Sequence, residues 1–246
     1  MLPLIRLIRV KGLPILQQLQ LEERLLRTTS HNWCIINDGT GTPTIVTGIS
    51  GKPEQLIEVE PVLRDRIPVI KRFSGGGTVI VDGDTVFVTL ICNQSAVPNL
   101  QLYPRSIMAW TEQFYAPVFR STADFRLREH DYALGDRKFG GNAQSITKGR
   151  WLHHTSFLWD YRAQNMAYLK LPSRAPKYRL ERSHSDFICC LKDLSFSREN
   201  FLENIVAALT VYFSLETVKV KDMDLPLDDN YPHTTKVLTT EEITGQ

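Results

Sequence analysis

Two glycine-rich segments, about sixty residues apart, constrain the fold and chemistry of this chain most strongly. The first is Ser74-Gly75-Gly76-Gly77-Thr78, which follows Arg72. The second spans residues 135–144 and contains Lys138, Gly140 and Gly141. Each adjoins a strand-like run and places a fixed cation beside backbone that carries few side chains. Because such backbone can cradle a phosphate or an acyl phosphate, the two segments predict a site for a nucleotide or an activated acyl group.

The order of the predicted elements indicates the fold class. Helices are predicted over residues 14–28, 53–66, 106–119, 162–169 and 198–214. Strands are predicted over residues 4–10, 33–36, 44–47, 68–70, 79–81, 86–91, 125–128, 132–134, 151–159 and 217–220, before a polar tail. Asp82-Gly83 predicts a hairpin between the 79–81 and 86–91 strands. Because helices alternate with hairpins and not in strict βαβ order, we predict an α+β fold with a mixed, mainly antiparallel sheet flanked by helices.

Length, charge and cysteine content narrow the function. We expect a single domain over residues 1–246, since 42% hydrophobic residues are ample for a packed core. A formal net charge of +2 argues against a nucleic-acid-binding protein. No apolar stretch approaches the roughly 18 residues of a membrane span. The cysteines at positions 34, 92, 189 and 190 have no metal-binding spacing, and as reduced thiols they favour an intracellular location.

The first glycine segment is suited to bind an anion. Without Cβ atoms, its amides can approach a ligand closely, and Arg72 is placed to pair with a phosphate or carboxylate through two nitrogens. The alternative is a glycine-rich turn with a surface arginine. A Walker A loop is excluded because no Gly-Lys-Ser/Thr ends the turn. A Rossmann fingerprint fits poorly because a hairpin, and not a helix, is predicted to follow.

The second segment and its neighbours supply further candidates. Lys138 beside Gly140-Gly141 suits an acyl phosphate, whose charge builds on phosphate and carbonyl oxygens. Asp131 is equally suited to hold a ribose, an amino group or a cation, or to cap a turn. His153 and His154 are neighbours in a strand, so at most one of them can face a pocket. His154 is the candidate, and the alternative is a structural histidine, which is the commoner role of a lone histidine in a strand. Residues 172–184 are basic and contain proline, and we predict a loop that orders on binding.

These elements together resemble the lipoate–protein ligase A family, within the biotin/lipoyl ligase and octanoyltransferase superfamily. The resemblance spans about residues 4–194. It is carried by residues 16–23, which end in Glu22-Glu23, by Arg72-Phe73-Ser74-Gly75-Gly76-Gly77-Thr78-Val79, by His130-Asp131-Tyr132, by residues 135–144 and by His153-His154. The order of the motifs makes the resemblance specific.

The resemblance implies a fold, an activity and roles for residues. The fold would be the catalytic domain of biotin–lipoyl ligases, which is similar to class II aminoacyl-tRNA synthetases. Lipoate or octanoate would react with ATP and Mg²⁺ to give acyl-AMP, and a carrier lysine would then take the acyl group. Lys138 would be catalytic, Asp131 would hold adenosine or magnesium, and Arg72 would bind phosphate. The remaining cofactor-binding residues would be Ser74, Gly75, Gly76, Gly77, Thr78, Val79, Ile80, Gly140, Gly141 and His154. The β-branched residues of the predicted hairpin would line an apolar slot for the acyl chain.

The partners implied are lipoyl carrier domains, namely the E2 subunits of 2-oxoacid dehydrogenases and the glycine cleavage H protein. The resemblance implies a monomer that binds neither nucleic acid nor membranes. The location would be mitochondrial in a eukaryote and cytoplasmic in a bacterium. About fifty residues follow Leu194, fewer than the family's C-terminal accessory domain needs, so we do not expect that domain in full.

Departures from the family pattern keep a second reaction class open. Val81-Asp82 stands where His-Asp is common, and Thr155 follows the two histidines where glycine is usual. The alternative is an octanoyl- or lipoyltransferase that needs no ATP, acting through a thioester on Cys189 or Cys190 or on preformed acyl-AMP. A third possibility is a binding module that docks carrier domains or stores acyl-AMP.

Overall fold

The computed structural model describes residues 1–122, 124–172, 175–222 and 231–245. Its strands are β1 (Leu4–Lys11), β2 (Asn32–Asp38), β3 (Thr44–Thr47), β4 (Val69–Lys71), β5 (Val79–Val81), β6 (Thr85–Asn93), β7 (Phe125–Arg128), β8 (Asp131–Leu134), β9 (Arg137–Thr147), β10 (Arg150–Leu158), β11 (Ser214–Thr217) and β12 (Lys236–Val237). Its α-helices are α1 (Ile15–Thr28), α2 (Pro53–Leu56), α3 (Val59–Arg64), α4 (Pro104–Tyr115), α5 (Ala163–Met166), α6 (His184–Phe187), α7 (Arg198–Tyr212) and α8 (Thr240–Thr244).

The strands form a large sheet and a small sheet. The large sheet has the order β11-β1-β2-β6-β10-β9-β8-β7, in which β1 runs parallel to β11 and β2 and every other pair is antiparallel. The small sheet has the order β12-β4-β3-β5, in which β3 and β4 are parallel. The predicted α+β class with a mixed, mainly antiparallel sheet is therefore confirmed.

The main core lies on one face of the large sheet, under α4 and α7. Side chains alternate along β10, and Trp151 and Phe157 point into this core, where neither is exposed. Phe157 stacks on Tyr132 and Phe139 and meets Phe201 of α7 edge-on. The opposite face of the sheet is covered by α1 and the small sheet, where Leu19, Val81 and Phe87 share a second cluster. The candidate site lies on this second face.

The hairpin predicted around Asp82-Gly83 is wrong. The tight turn forms, because the Asp82 carboxylate accepts a hydrogen bond from the Asp84 amide at 2.9 Å and the Thr85 amide bonds the Asp82 carbonyl at 3.1 Å. The flanking strands then separate: β5 pairs with β3 of the small sheet, whereas β6 pairs with β2 and β10 of the large sheet. Of the apolar residues expected to line one hairpin, Val81 and Phe87 therefore meet between the two sheets, whereas Val86, Val88 and Leu90 point into the main core.

Other boundaries also differ from the predictions. The helix predicted over residues 53–66 is divided at Ile57, which bridges to Leu169, and Glu58, whose amide bonds the Tyr168 carbonyl at 2.9 Å. Strands β2 and β3 exist but lie in different sheets. Within residues 172–184, positions 173 and 174 lie outside the described residues, and a 3₁₀ turn forms at Lys177–Arg179. The predicted polar tail is wrong for residues 231–245, which contain β12 and α8.

None of the helices in the described part of the chain is long and apolar enough to cross a lipid bilayer.

Phe157→Ala should lower the free energy of unfolding by about 3–5 kcal/mol, because it empties the centre of the aromatic core. Urea denaturation at neutral pH measures this loss. Val211, whose side chain is exposed on α7, is the control, and Val211→Ala should change the free energy by no more than about 0.5 kcal/mol. Equal effects of the two substitutions would contradict the assignment of the core.

Candidate functional site

The first glycine segment is a loop between β4 and β5 that lies on β9 of the large sheet. The Gly75 amide donates to the Gln144 carbonyl at 3.1 Å, which ties the loop to β9. Gly76 has φ +126°, and a Cβ there would lie 2.5 Å from the Arg72 guanidinium and 3.1 Å from Ala143 Cβ. Only glycine fits this conformation and this close approach. The loop therefore lies over Ala143, on the side of the sheet away from the main core.

The glycine loop concentrates polar groups that have no partner. The amides of Gly76, Gly77 and Thr78 donate to no group within the described residues. The Ser74 and Thr78 hydroxyls are buried and likewise lack a hydrogen-bond partner there. Buried polar groups are nearly always paired in folded proteins. Consecutive unpaired amides beside two hydroxyls are suited to bind the oxygens of an anion.

Arg72 supports the loop from inside and does not face the solvent. Its Nη2 donates to the carbonyls of Gly75 at 3.3 Å and Gly77 at 2.9 Å, and the residue is 2% exposed. Burial lowers the pKa of its guanidinium to about 10, opposed by the charge of Glu22. The resemblance implied a phosphate contact for Arg72, whereas in the structure its guanidinium bonds the loop's own backbone. A phosphate contact by Arg72 requires the loop to move.

Lys138 is held by an ion pair at the edge of the same face. Its Nζ lies 2.7 Å from Oδ1 of Asp131, and the lysine side chain keeps 29% of its surface exposed. The other carboxylate oxygen of Asp131 accepts a hydrogen bond from the Tyr178 hydroxyl at 2.9 Å. Burial, together with the neighbouring charge of Asp131, raises the pKa of Tyr178, so this hydroxyl stays protonated. Asp131 therefore fixes the ammonium of Lys138 at one position.

The glycine loop and the Lys138 ammonium lie on the same face of β9, over two positions of the strand that are two residues apart. Gly141 is beneath Lys138, since a Cβ on Gly141 would lie 3.5 Å from the lysine Nζ. The loop lies over Ala143, and residues i and i+2 of a strand share a face. We define the candidate site as the glycine loop (residues 74–78) with Lys138 and Asp131.

Gly140 faces the main core and not the glycine loop, and the cofactor-binding role that the resemblance implied for it stays a prediction. It is in β9, not in a loop, and a Cβ there would lie 3.2 Å from Tyr132 and 3.3 Å from Phe157 in the main core. Gly140 is required for aromatic packing on the opposite face. Val79 and Ile80 lie in β5 and pair with β3, so their predicted contact with a nucleotide stays a prediction.

His153 and His154 point to opposite faces of β10, as the alternation of a strand requires. His154 shares the face of the candidate site, and its Nδ1 lies 2.8 Å from Oε2 of Glu22, which is fully buried in α1. Glu22 also accepts hydrogen bonds from Gln18 at 2.9 Å and Thr89 at 2.6 Å. This network fixes the orientation of the His154 ring. The cofactor-binding role predicted for His154 stays a prediction.

Sequence reasoning did not identify Tyr178 or the contact of Glu22 with His154. Tyr178 belongs to the basic segment that the sequence marked as a loop, and it contacts Asp131 across 47 residues of chain. Neighbouring Arg179 is 5% exposed, and its Nη2 has no hydrogen-bond partner among the described residues. The basic composition of residues 172–184 was the available signal, but it did not show which side chains reach Asp131.

The described side chains do not form a magnesium site by themselves. Lys138 and Tyr178 engage both oxygens of Asp131, the predicted ligand. No group of three His, Cys, Asp or Glu side chains suited to a metal occurs in the part of the chain that the structure describes. Mg²⁺ binds through carboxylates that are available to it, usually together with substrate phosphates. In this structure Asp131 is thus engaged by Lys138 and Tyr178, and its predicted role as a metal ligand stays a prediction.

The sequence of the chain matches one family over most of its length. The family model of the lipoyl protein ligase A/B catalytic domain matches residues 14–214. The chain belongs to this family. The match covers the glycine loop, Asp131, Lys138 and both histidines, so the resemblance inferred from these motifs is confirmed.

Curated relatives within this family differ in their activity. The chain is 28% identical over 213 residues to the inactive lipoate–protein ligase 2 of Plasmodium falciparum, and the match covers 71% of this chain and 54% of that protein. It is 25% identical over 199 residues to the octanoyltransferase LipM of Moorella thermoacetica, with 72% and 73% covered. The chain thus spans about half the length of the Plasmodium protein.

Solved structures confirm the fold of lipoate–protein ligases. One comes from a bi-partite lipoate protein ligase and its E2 lipoyl domain from Thermoplasma acidophilum, with a TM-score of 0.72, 16% identity, and 90% of this chain and 89% of that chain covered. A lipoate–protein ligase A bound with ATP has a TM-score of 0.71, 16% identity, and 90% and 91% covered. At this identity the similarity concerns the fold alone.

His153 should make the stability of the protein depend on pH. Burial lowers the pKa of its imidazole from 6.5 to about 3, so the folded protein keeps it neutral. The unfolded chain binds a proton below about pH 6.5, and stability is therefore lost as pH falls from there toward 3. Because only the unfolded chain protonates His153 in this range, the free energy of unfolding should fall by about 2 kcal/mol when the pH is lowered from 7 to 5.

Urea denaturation at the two pH values measures the effect. His153→Gln keeps a polar side chain that does not titrate, so it should remove this part of the pH dependence. An unchanged pH dependence in the variant would contradict the assignment.

Proposed function

We propose that this protein is a lipoate–protein ligase, which activates lipoate or octanoate with ATP and transfers the acyl group to a lysine of a lipoyl carrier domain. The observation that carries the proposal is the set of unpaired amides and hydroxyls of the glycine loop, on the same face of β9 as the ammonium of Lys138. Fixed donors and a cation on one face favour a reaction in which phosphate and carbonyl oxygens carry the developing charge.

In the first step, an acid carboxylate oxygen attacks the α-phosphorus of ATP, and the bond to pyrophosphate breaks. The amides of Gly76, Gly77 and Thr78 are the donors that would bind the phosphate oxygens. Lys138 would approach the non-bridging oxygens of the α-phosphate and the acyl carbonyl. Because Asp131 holds Nζ at one position, the cation needs little reorganisation when charge develops.

In the second step, the amine of a carrier lysine attacks the acyl carbon, an amide forms, and AMP leaves with the electron pair of the broken C–O bond. The amine loses a proton to the surroundings. Lys138 would stabilise the oxyanion that forms on the acyl carbon and the phosphate that leaves. The same residue would therefore act in both steps.

The acyl chain needs an apolar slot near this face. The cluster of Ile15, Leu19, Val46, Ile70, Val81 and Phe87 lies between α1, the small sheet and β6. All six side chains are packed together and buried, so a slot here would open by separating them, and its walls would come from two sheets in place of the single hairpin expected from the sequence. Apolar walls beside a few placed polar groups are typical of a small-molecule site.

The cysteine-thioester alternative has weaker support in the structure. Burial raises the pKa of Cys189 to about 11 and that of Cys190 to about 12, so neither thiol ionises readily near neutral pH. A nucleophilic cysteine normally has a lowered pKa. The octanoyltransferase among the relatives keeps this alternative open, as does transfer from preformed acyl-AMP. The inactive Plasmodium relative makes activation the step to measure first.

The test measures pyrophosphate release with ATP, Mg²⁺ and lipoate or octanoate, first without and then with a lipoyl carrier domain. We expect ATP-dependent release and a carrier lysine that gains the acyl mass. Acyl transfer from supplied acyl-AMP or from an acyl-carrier thioester, without any pyrophosphate release, would instead support a transferase that depends on another protein for activation. Absence of both reactions would support a binding module.

Lys138→Ala should lower the rate of both steps by about 10²–10³-fold while the fold remains intact, because a fixed cation is lost from the charge-developing centre. Lys148→Ala is the matched control, since Lys148 is exposed in the turn between β9 and β10. Pyrophosphate release and carrier acylation measure the two steps, and circular dichroism shows whether each variant is folded. Normal turnover of a folded Lys138→Ala protein would refute the assignment.

Cys189→Ser and Cys190→Ser should each retain turnover within about twofold of wild type, because the ligase mechanism forms no thioester. Carrier acylation measures the turnover, and mass spectrometry after an acid quench shows whether any acyl group is bound to the enzyme. A folded serine variant that loses activity, together with an acylated cysteine in wild type, would favour the thioester route.

A further inference from the structure

The C-terminal segment, residues 231–245, is built into the small sheet beside the glycine loop. Strand β12 pairs with β4, with Lys236 opposite Lys71 and Val237 opposite Ile70. The Leu238 amide continues the pairing with a 2.8 Å bond to the Val69 carbonyl. This pairing covers the edge of β4, the strand that leads directly into Arg72 and the loop.

Glu23 clamps this segment to α1. The carboxylate is fully buried and accepts the amides of Thr234 at 2.9 Å and Thr235 at 3.0 Å, and Arg27 lies 2.9 Å away. Burial raises the pKa of Glu23, but the hydrogen bonds from Thr234 and Thr235 outweigh it, so the pKa is lowered overall and the group stays ionised. A buried charge with this many donors holds its partners in one geometry.

Thr235 connects this clamp to the loop. Its hydroxyl oxygen accepts a hydrogen bond from the Phe73 amide at 3.2 Å, and Thr235 is 1% exposed. The preceding amide, that of Arg72, bonds the Thr47 carbonyl at 3.0 Å in β3. The two successive amides just before the glycine loop are therefore held by two different parts of the chain. Without Thr235, the buried Phe73 amide has no partner within the described residues.

We infer that residues 231–245 are a positioning strap for the glycine loop, and that Thr235 is the positioning residue through which the strap acts. The hydrogen bond fixes the start of the loop, while the bond from the Gly75 amide to Gln144 fixes it two residues later. The unpaired amides of Gly76, Gly77 and Thr78 follow at once. The strap thus preorganises the donors that would bind the nucleotide phosphates. This inference rests on the proposed function, in which the loop binds ATP.

The decisive variant is Thr235→Val in the full chain, which keeps the shape of the side chain and removes the acceptor. Hydrogen–deuterium exchange of the Phe73 amide should accelerate by at least about tenfold, because its hydrogen bond is lost. The KM for ATP in pyrophosphate release should rise about five- to tenfold with kcat nearly unchanged. Thr235→Ser restores the oxygen and should return both values to near those of wild type.

Thr234→Val is the matched control. The Thr234 hydroxyl contacts Arg27 at the surface and also interacts with Glu23, but it makes no bond to the glycine loop. The Thr234 amide keeps its own bond to Glu23 in the variant, so the substitution removes a side chain of the clamp and leaves the contact between Thr235 and Phe73 in place. It should change neither Phe73 exchange nor the KM for ATP. Equal effects of Thr234→Val and Thr235→Val would show general loosening and overturn the inference, as would unchanged Phe73 exchange in Thr235→Val. Thr235→Ala, which adds no buried methyl group, serves if the valine variant fails to fold.

Failure of the proposed function is distinguishable from failure of the strap. Wild-type protein without ATP-dependent pyrophosphate release would refute the self-sufficient ligase, and exchange of the Phe73 amide would still decide whether Thr235 positions the loop. If wild type turns over normally, but Thr235→Val changes neither the KM for ATP nor the exchange of the Phe73 amide, the ligase assignment stands and the strap is refuted.

Discussion

The candidate site depends on one contact, the seating of the glycine loop on β9. The loop connects two strands of the small sheet, whereas Lys138 belongs to the large sheet, so nothing within either sheet brings them together. The bond between Gly75 and Gln144, and the close approach of Gly76 to Ala143, supply that connection. Because Gly76 leaves no room for a Cβ, the distance between the sheets here is set by backbone contact. The unpaired amides of the loop and the cation of Lys138 thereby share one face.

The two adjacent glutamates of α1 hold opposite sides of this arrangement. Glu22 bonds His154 and Thr89 in the large sheet, and Glu23 bonds the C-terminal segment that extends the small sheet. Neither glutamate is exposed. A buried carboxylate is costly unless it is fully hydrogen-bonded, and each of these has several donors. Helix α1 therefore works as a fixed spacer between the sheets, which gives a physical reason for the paired glutamates seen in the sequence.

Much of the site was predictable from local patterns. The β-branched runs predicted β4, β5 and β6, and the period of two along a strand placed His153 and His154 on opposite faces. The glycine run and Lys138 were identified as anion-binding elements because each of two segments places a cation beside backbone that carries few side chains. The hairpin at Asp82-Gly83 was not predictable in this way: the turn chemistry is local, whereas the choice of a partner strand depends on which sheet edge is available. The resemblance assigned Gly140 to cofactor binding, and the sequence does not show that this residue packs against Tyr132 and Phe157 in the main core.

The sequence by itself determined the fold class, the family and the residue types of the site, because hydrophobic periodicity, motif residues and the order of the motifs are read along the chain without knowledge of its contacts. Tertiary structure decided the direction and partner of each group. It turned Arg72 inward onto the loop carbonyls, paired Lys138 with Asp131 and Tyr178, and placed Thr235 against Phe73 across 162 residues of chain. The physical reason is that a hydrogen bond or an ion pair is worth little until burial fixes its partners. Burial is a property of the assembled sheets and not of any one segment.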